Sequence, residues 1–361
     1  MNPSTEFAEQ LGHYKSIIDN DIEQYCDSIQ DKTAEVYGEN SAIVSEAFTE
    51  ILMRDSKRIR GALTIVGYEM CGGTDIELIT PVARVVEMMQ AYLLIIDDVQ
   101  DRSDVRRGGP SAHKFIQTEH EKRGWSGDAE HTGVSLALNA GLLGAHNAQV
   151  ILANLDADPE FKIKALSILN HTMMVTAHGQ TNDIINEVSN TTTLEDINRV
   201  MQWKTAHYSF LNPLHMGMVF AGAGCEDTNA ITDYALNVGK AYQYTDDLLV
   251  VEDATAVGKD LSGDIREGKK TLLTHHALTH ADKGDSEFLL SCLGNPDLSA
   301  EDFTRCQEIF KKSGAIDYAR SSTESLIQAA RTTLSAHAER WNPGSVKFLD
   351  GLAQYILTRA R

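Results

Sequence analysis

Two aspartate clusters lie far apart in this 361-residue chain, each closing an apolar stretch: Asp97-Asp98-Val99-Gln100-Asp101 and Asp246-Asp247. On a helix, Asp97 and Asp101 share a face one turn apart, while Asp98 points about a third of a turn away. Carboxylates so close repel: at an effective dielectric of about 20, like charges roughly 6 Å apart cost on the order of 3 kcal/mol. A divalent cation relieves that cost. Hard oxygen ligands beside basic residues suggest magnesium, with an anion such as a phosphate touched by both metal and cations. Gln243 precedes the second cluster by one turn, and Val250 stands where a third acid would complete it.

The cations come in four places: Lys57-Arg58-Ile59-Arg60, Arg106-Arg107-Gly108-Gly109, Lys204-Thr205, and Lys259 with Lys269-Lys270. Lys57 and Arg60 are expected to open a helix on one face. Lys204 sits in the mostly apolar run Trp203–Phe210, so it needs a buried anion or an exit to solvent. Gln180 and Asp183 are polar on an apolar helix. They serve Lys204, a metal-bound water or a hydrogen bond in the core.

Positioning these groups falls to helices. The seven prolines are sparse, strict alternation is rare, and apolar residues recur at three and four. The pattern predicts helices over about 81–102, 165–187, 193–221, 229–251, 317–336 and 346–360, within an all-α chain of ten or more helices. Pro81 is expected in the first turn of its helix. Two polar, glycine-bearing segments, 103–131 and 252–270, follow the acidic clusters and are expected to be mobile lids. No composition shift marks a domain boundary, so the expectation is a single domain, 1–361. The net charge of −20 argues against non-specific binding to nucleic acid or to an anionic membrane surface. Five scattered cysteines without a CxxC pair indicate neither a disulfide frame nor a zinc site, which fits a reducing cytoplasm. The first residues lack a basic stretch followed by an apolar one, so no signal peptide is expected. The most apolar run, around 82–96, contains Arg84 and Glu87 and is expected to be too short to span a membrane.

Taken in order, these motifs resemble the trans-prenyltransferases, the polyprenyl diphosphate synthases. Lys57…Arg60, Asp97–Asp101 with Arg106-Arg107-Gly108, Gly179-Gln180…Asp183, Lys204-Thr205, and Gln243…Asp246-Asp247 with Gly258-Lys259 follow the family's sequence of motifs across about 54–273. Asp55-Ser56 replace the family's Gly-Gly and Gly61 its proline. The resemblance implies an all-α bundle around a central active-site cavity, of isoprenoid synthase type. It would condense isopentenyl diphosphate with an allylic diphosphate. It implies three Mg²⁺ ions, with Asp97, Asp101 and Asp246 as direct ligands and Asp98 and Asp247 beside them. Lys57, Arg60, Gln90 and Arg107 would serve isopentenyl diphosphate. Arg106, Lys204 and Lys259 would hold the allylic diphosphate, and Lys269 would also bind substrate. Thr205 and Gln243 would line the carbocation. It also suggests a homodimer.

Product length depends on what lies beneath Asp97. Helical geometry favours Leu93 as the floor, one turn below, whereas the resemblance favours Tyr92; a product of fifteen or twenty carbons follows. The nearest rival, a class I terpene cyclase, would need an NDxxSxxxE-type motif; Asn182-Asp183 begins one, but Asn186 and Asn190 stand where Ser and Glu belong. A catalytically silent subunit, motivated by Val250 and Asp55-Ser56, is a second alternative, and a plain structural acidic bundle a third.

Overall fold

The computed structural model describes residues 3–189, 191–252 and 263–359. Helices account for most of them; the described strands, Val105–Arg106 and Gly109–Pro110, form one short antiparallel hairpin. The all-α reading holds. The chain divides into two compact units.

The N-terminal unit, residues 8–167 with 216–222, is organised around the helix Ile76–Gln100. Asp75 caps this helix, its carboxylate accepting from the Leu78 N–H. The helix therefore starts before Pro81, which sits inside it rather than in its first turn. The missing proline N–H leaves one carbonyl of the preceding turn without its helical donor. Against this helix packs Ala129–Asn154, whose inward face is almost all small: Gly133, Ala137, Ala140, Gly141, Gly144 and Ala148. The small face is a steric necessity. A Cβ at Gly144 would lie 2.1 Å from the Phe48 ring, and one at Gly133 2.4 Å from the His113 carbonyl oxygen.

Both helices are long and apolar enough to cross a membrane. For Ile76–Gln100 this corrects the expectation of too short a run. Its most apolar window is 72% buried within the protein, and its charged residues are partnered: Arg84 with Asp21 at 2.7 Å, Glu87 with Arg58 at 3.4 Å. Ala129–Asn154 is less covered, with Leu138, Leu142 and Val150 exposed at helical spacing.

The C-terminal unit, residues 168–215 and 223–361 with 1–7, is built on the helix Cys225–Glu252. It packs against Ala315–Ala336 and against Met201–Leu211, which is π-helical. The expected helix over 193–221 is therefore three consecutive pieces: α over Leu194–Val200, π over Met201–Leu211, and α over Asn212–Phe220. Gly239 admits the π segment, since a Cβ there would meet Ala206 at 2.5 Å. Tyr234, fully buried, donates to the Leu349 carbonyl at 2.6 Å. A second core of Leu248, Ile265, Leu289 and Phe310 closes the far side.

The segment expected as a lid over 103–131 contains the hairpin and the helix Ala112–Lys122 instead. The second expected lid falls largely on 253–262, outside the described residues, and ends in a helix, Gly263–Glu267.

Candidate active site

In the N-terminal unit, Asp97 and Asp101 lie one turn apart as the spacing requires, and the Asp101 N–H donates to the Asp97 carbonyl at 2.8 Å as the helix ends. Asp98 turns inward. It is fully buried and receives both Nε, at 2.7 Å, and Nη2 of Arg106. Arg106 Nη2 also lies 3.4 Å from Asp97. Burial, with Asp97 and Asp101 close by, pushes the Asp98 carboxyl up to about 6 against the pull of Arg106. Its first task here is to hold Arg106.

Arg106 and Arg107 are carried by the hairpin, whose two central residues are Arg107 and Gly108. Both have positive φ, 48° and 78°, as a type I′ turn demands. Glycine is at ease there. An arginine is not, at a cost of order 1 kcal/mol, so the turn spends backbone strain to place a guanidinium at its tip. Burial around that group, with Arg60, Arg58 and Arg106 as cationic neighbours and Glu87 opposing, pushes Arg107 down to about 10. It stays charged at neutral pH, and an anion among these guanidinium groups would be strongly favoured.

Lys57 and Arg60 do not open the helix together. The helix begins at Ile59, and Arg58 before it takes a left-handed conformation, leaving Lys57 exposed in the connecting segment. Arg58 itself is buried between Asp19, at 2.7 Å, and Glu87, at 3.4 Å. Glu87 also accepts the Gly61 N–H at 2.8 Å, and a Cβ on Gly61 would press the Glu87 stem at 3.3 Å. Sequence reasoning passed over both Arg58 and Glu87; the signal was Glu87, an acid inside an apolar run. Gln90, one turn on, is buried, and its side-chain oxygen has no partner among the described residues. Tyr92 and Leu93 are both half-buried, and burial raises the Tyr92 hydroxyl above its ordinary range.

In the C-terminal unit, Lys204 finds its anion in Asp183, Nζ to Oδ2 at 2.6 Å. The GQ motif explains itself. Gly179 lets the two segments touch, since a Cβ there would stand 2.4 Å from the Lys204 backbone nitrogen. Gly179→Ala is accordingly expected to lower stability by about 2 kcal/mol and to lower turnover; thermal melting and kcat together test it, and an unchanged melting temperature would contradict the contact.

A polar chain continues from Thr205. Its hydroxyl donates to Gln243 Oε1 at 3.2 Å, and Gln243 Nε2 donates to Asp247 Oδ1 at 2.9 Å. Asp247 is buried, and its second oxygen has no partner among the described residues. Burial first, then Asp264, with Asp246 and Asp183 adding, pushes it up to about 8 against the Gln243 hydrogen bond. Asp264, which the sequence reading did not single out, thus belongs to this cluster. Asp246 pairs with Arg359 of the last helix at 3.0 Å; nothing in the sequence spacing signals this partner. Lys269 pairs with Glu267 at 2.9 Å. Lys259 lies outside the described residues, as does Asn190.

The donor set suits magnesium. Among the described residues no three acidic, histidine or cysteine groups converge into a ready-made cage, but Mg²⁺ is usually held by one or two carboxylates, waters and substrate phosphates. Asp97, Asp101 and Asp246 are only partly buried, so their carboxylates are accessible hard acceptors of the kind it takes, while Asp98 and Asp247 lie buried behind them.

The fold is all-α, with one acidic cluster at the end of Ile76–Gln100 and another inside Cys225–Glu252, each beside a fixed cation. Residues 41–310 match the polyprenyl synthetase family, and the chain belongs to it: it is a prenyltransferase. A geranylgeranyl diphosphate synthase of Saccharolobus solfataricus is 29% identical over 326 residues, 89% of this chain and 92% of that one. A short chain isoprenyl diphosphate synthase of Methanocaldococcus jannaschii is 30% identical over 332 residues, 91% and 93% of the two chains. Among solved structures, a geranylgeranyl pyrophosphate synthase from Corynebacterium glutamicum, complexed with isoprenyl diphosphate and magnesium, is similar with a TM-score of 0.89 at 27% identity. The match covers 96% of this chain and 98% of that one.

Proposed function

We propose that this prenyltransferase is a magnesium-dependent, short-chain trans-prenyl diphosphate synthase that joins isopentenyl diphosphate to an allylic diphosphate, with geranylgeranyl diphosphate as product. The observation that carries the reading is the acidic cluster Asp97–Asp101 beside the hairpin arginines, with Arg106 bonded to Asp98 and 3.4 Å from Asp97: acid for metal, guanidinium for phosphate, on one short stretch of chain. Names and near-full-length coverage of the relatives support the product class.

In this reading Asp97, Asp101 and Asp246 hold magnesium, with Asp98 and Asp247 orienting their neighbours. Bound there, the metal would neutralise charge on the departing diphosphate. Arg106 and Lys204, with Lys259 and Lys269, bind the allylic diphosphate. Asp98 and Asp183 fix the first two in place, so their charge is aimed before the bond breaks. Thr205 and Gln243 present oxygen dipoles to the allylic cation. Lys57, Arg60, Gln90 and Arg107 hold isopentenyl diphosphate by charge and hydrogen bonds without metal, so it is not ionised and its double bond remains the nucleophile.

A cytoplasmic homodimer without membrane spans is the form we propose. The exposed Leu138, Leu142 and Val150 on one helix face support self-association. Incubating the purified chain with Mg²⁺, isopentenyl diphosphate and each allylic starter tests the function. Diphosphate release with a twenty-carbon product is expected; no release would sink the reading, and a fifteen-carbon product would correct its length. Tyr92→Ala should lengthen the product if Tyr92 is the floor; an unchanged product that lengthens with Leu93→Ala would move the floor to Leu93.

A further inference from the structure

We propose that Arg54 is a positioning residue for diphosphate binding: a strut that fixes the hairpin carrying Arg106 and Arg107. Arg54 follows the helix Glu39–Met53, where the backbone turns extended. Glu50, one turn back, grips its guanidinium through Nε at 3.0 Å and Nη2 at 2.5 Å. The remaining donors reach the hairpin. Nη1 donates to the Arg106 carbonyl, and Nη2 to the Pro110 carbonyl at 2.6 Å. One planar group thus ties both strands, at Arg106 just before the Arg107-Gly108 turn and at Pro110 two residues after it.

Its fit to the hairpin is close. A Cβ on Gly109 would stand 2.8 Å from Arg54 Nη2 and 2.9 Å from Cζ, so a side chain there would displace the guanidinium. The hairpin has only two residues per strand and a strained arginine at its turn. Hairpins this short are marginal without outside support. A lysine could not replace the strut, because a single ammonium cannot span the carboxylate and two carbonyls in a plane. The Arg54 carbonyl in turn lies 3.4 Å from Arg58 Nη2, linking the strut to the buried Arg58 of the adjacent segment. Glu50, Arg54 and Gly109 therefore act together to hold two diphosphate-facing arginines in register.

This rests on the reading that the hairpin arginines bind diphosphate, and the test separates the two. Calorimetry with inorganic diphosphate in EDTA reports the metal-free site. KM for isopentenyl diphosphate and kcat report turnover. Arg54→Lys, Arg54→Met and Gly109→Ala are each expected to weaken diphosphate binding and raise that KM about tenfold, with kcat lowered as well because Arg106 shifts with the hairpin, and with a folded circular dichroism spectrum. Arg107→Ala should weaken binding and raise that KM likewise. If Arg107→Ala weakens binding while Arg54→Lys does not, the strut is overturned and the site reading stands. If neither does, the hairpin is not the diphosphate site. Should Arg54→Met fail to fold, the lysine and Gly109 variants carry the test. A parallel fall in active fraction and stability with KM unchanged would mark Arg54 as merely structural and end the proposal.

Discussion

Asp97→Ala is expected to lower kcat about a thousandfold or more, with the folded chain intact. The residue is partly exposed at a helix end, so the fold loses little. What is lost is charge aimed at the bond that breaks, and removing one such electrostatic contact typically costs two to three orders of magnitude. Asp101→Ala, on the same face one turn on, should behave alike. Asp98→Ala should differ in kind. It frees Arg106, since the carboxylate it removes takes two of that guanidinium's bonds. Its signature is then a raised KM for the allylic diphosphate beside a reduced kcat. Steady-state kinetics over a magnesium titration separates the cases. A fall of less than tenfold for Asp97→Ala would remove it from the metal ligands.

The largest expected effect on stability comes from Arg58. Arg58→Met leaves Glu87 buried with the Gly61 N–H and no longer the cation, and Asp19 keeps only Lys15 as a cationic partner. Breaking one side of a buried pair costs about 3–5 kcal/mol, a large part of the stability of most domains. The double variant Arg58→Met/Glu87→Met should recover much of it, because no uncompensated charge then remains. Urea unfolding of the three chains measures this. A single variant within 1 kcal/mol of the parent, or a double variant worse than the single, would overturn the account.

The helices were legible because their periodicity is strong, and Asp97 with Asp101 because four residues make one helical turn. Lys204 announced its need for an anion by standing in an apolar run, and Asp183 supplies it at 2.6 Å. Other features were hidden for physical reasons. Arg58 and Glu87 are far apart in sequence, and only tertiary packing makes them a pair. Lys57 and Arg60 satisfy helical spacing, yet the left-handed turn at Arg58 delays the helix to Ile59. The segment 103–131 is polar and glycine-bearing, which reads as a loop, but its glycines serve a type I′ turn and a close approach by Arg54. Arg359 lies beyond every motif, and its contact with Asp246 follows from the packing of the last helix on Cys225–Glu252.

The π-helical stretch over Met201–Leu211 alters how this region responds to change. Each turn there closes one residue later than in an α-helix, so an ordinary helical wheel drawn through Lys204 misassigns the sides on which Tyr208 and Leu211 fall. Scanning substitutions would show a longer spacing between sensitive positions than in the flanking stretches. Loss of a single residue inside it would let the backbone relax to the tighter spiral and swing the Lys204-Thr205 pair out of line.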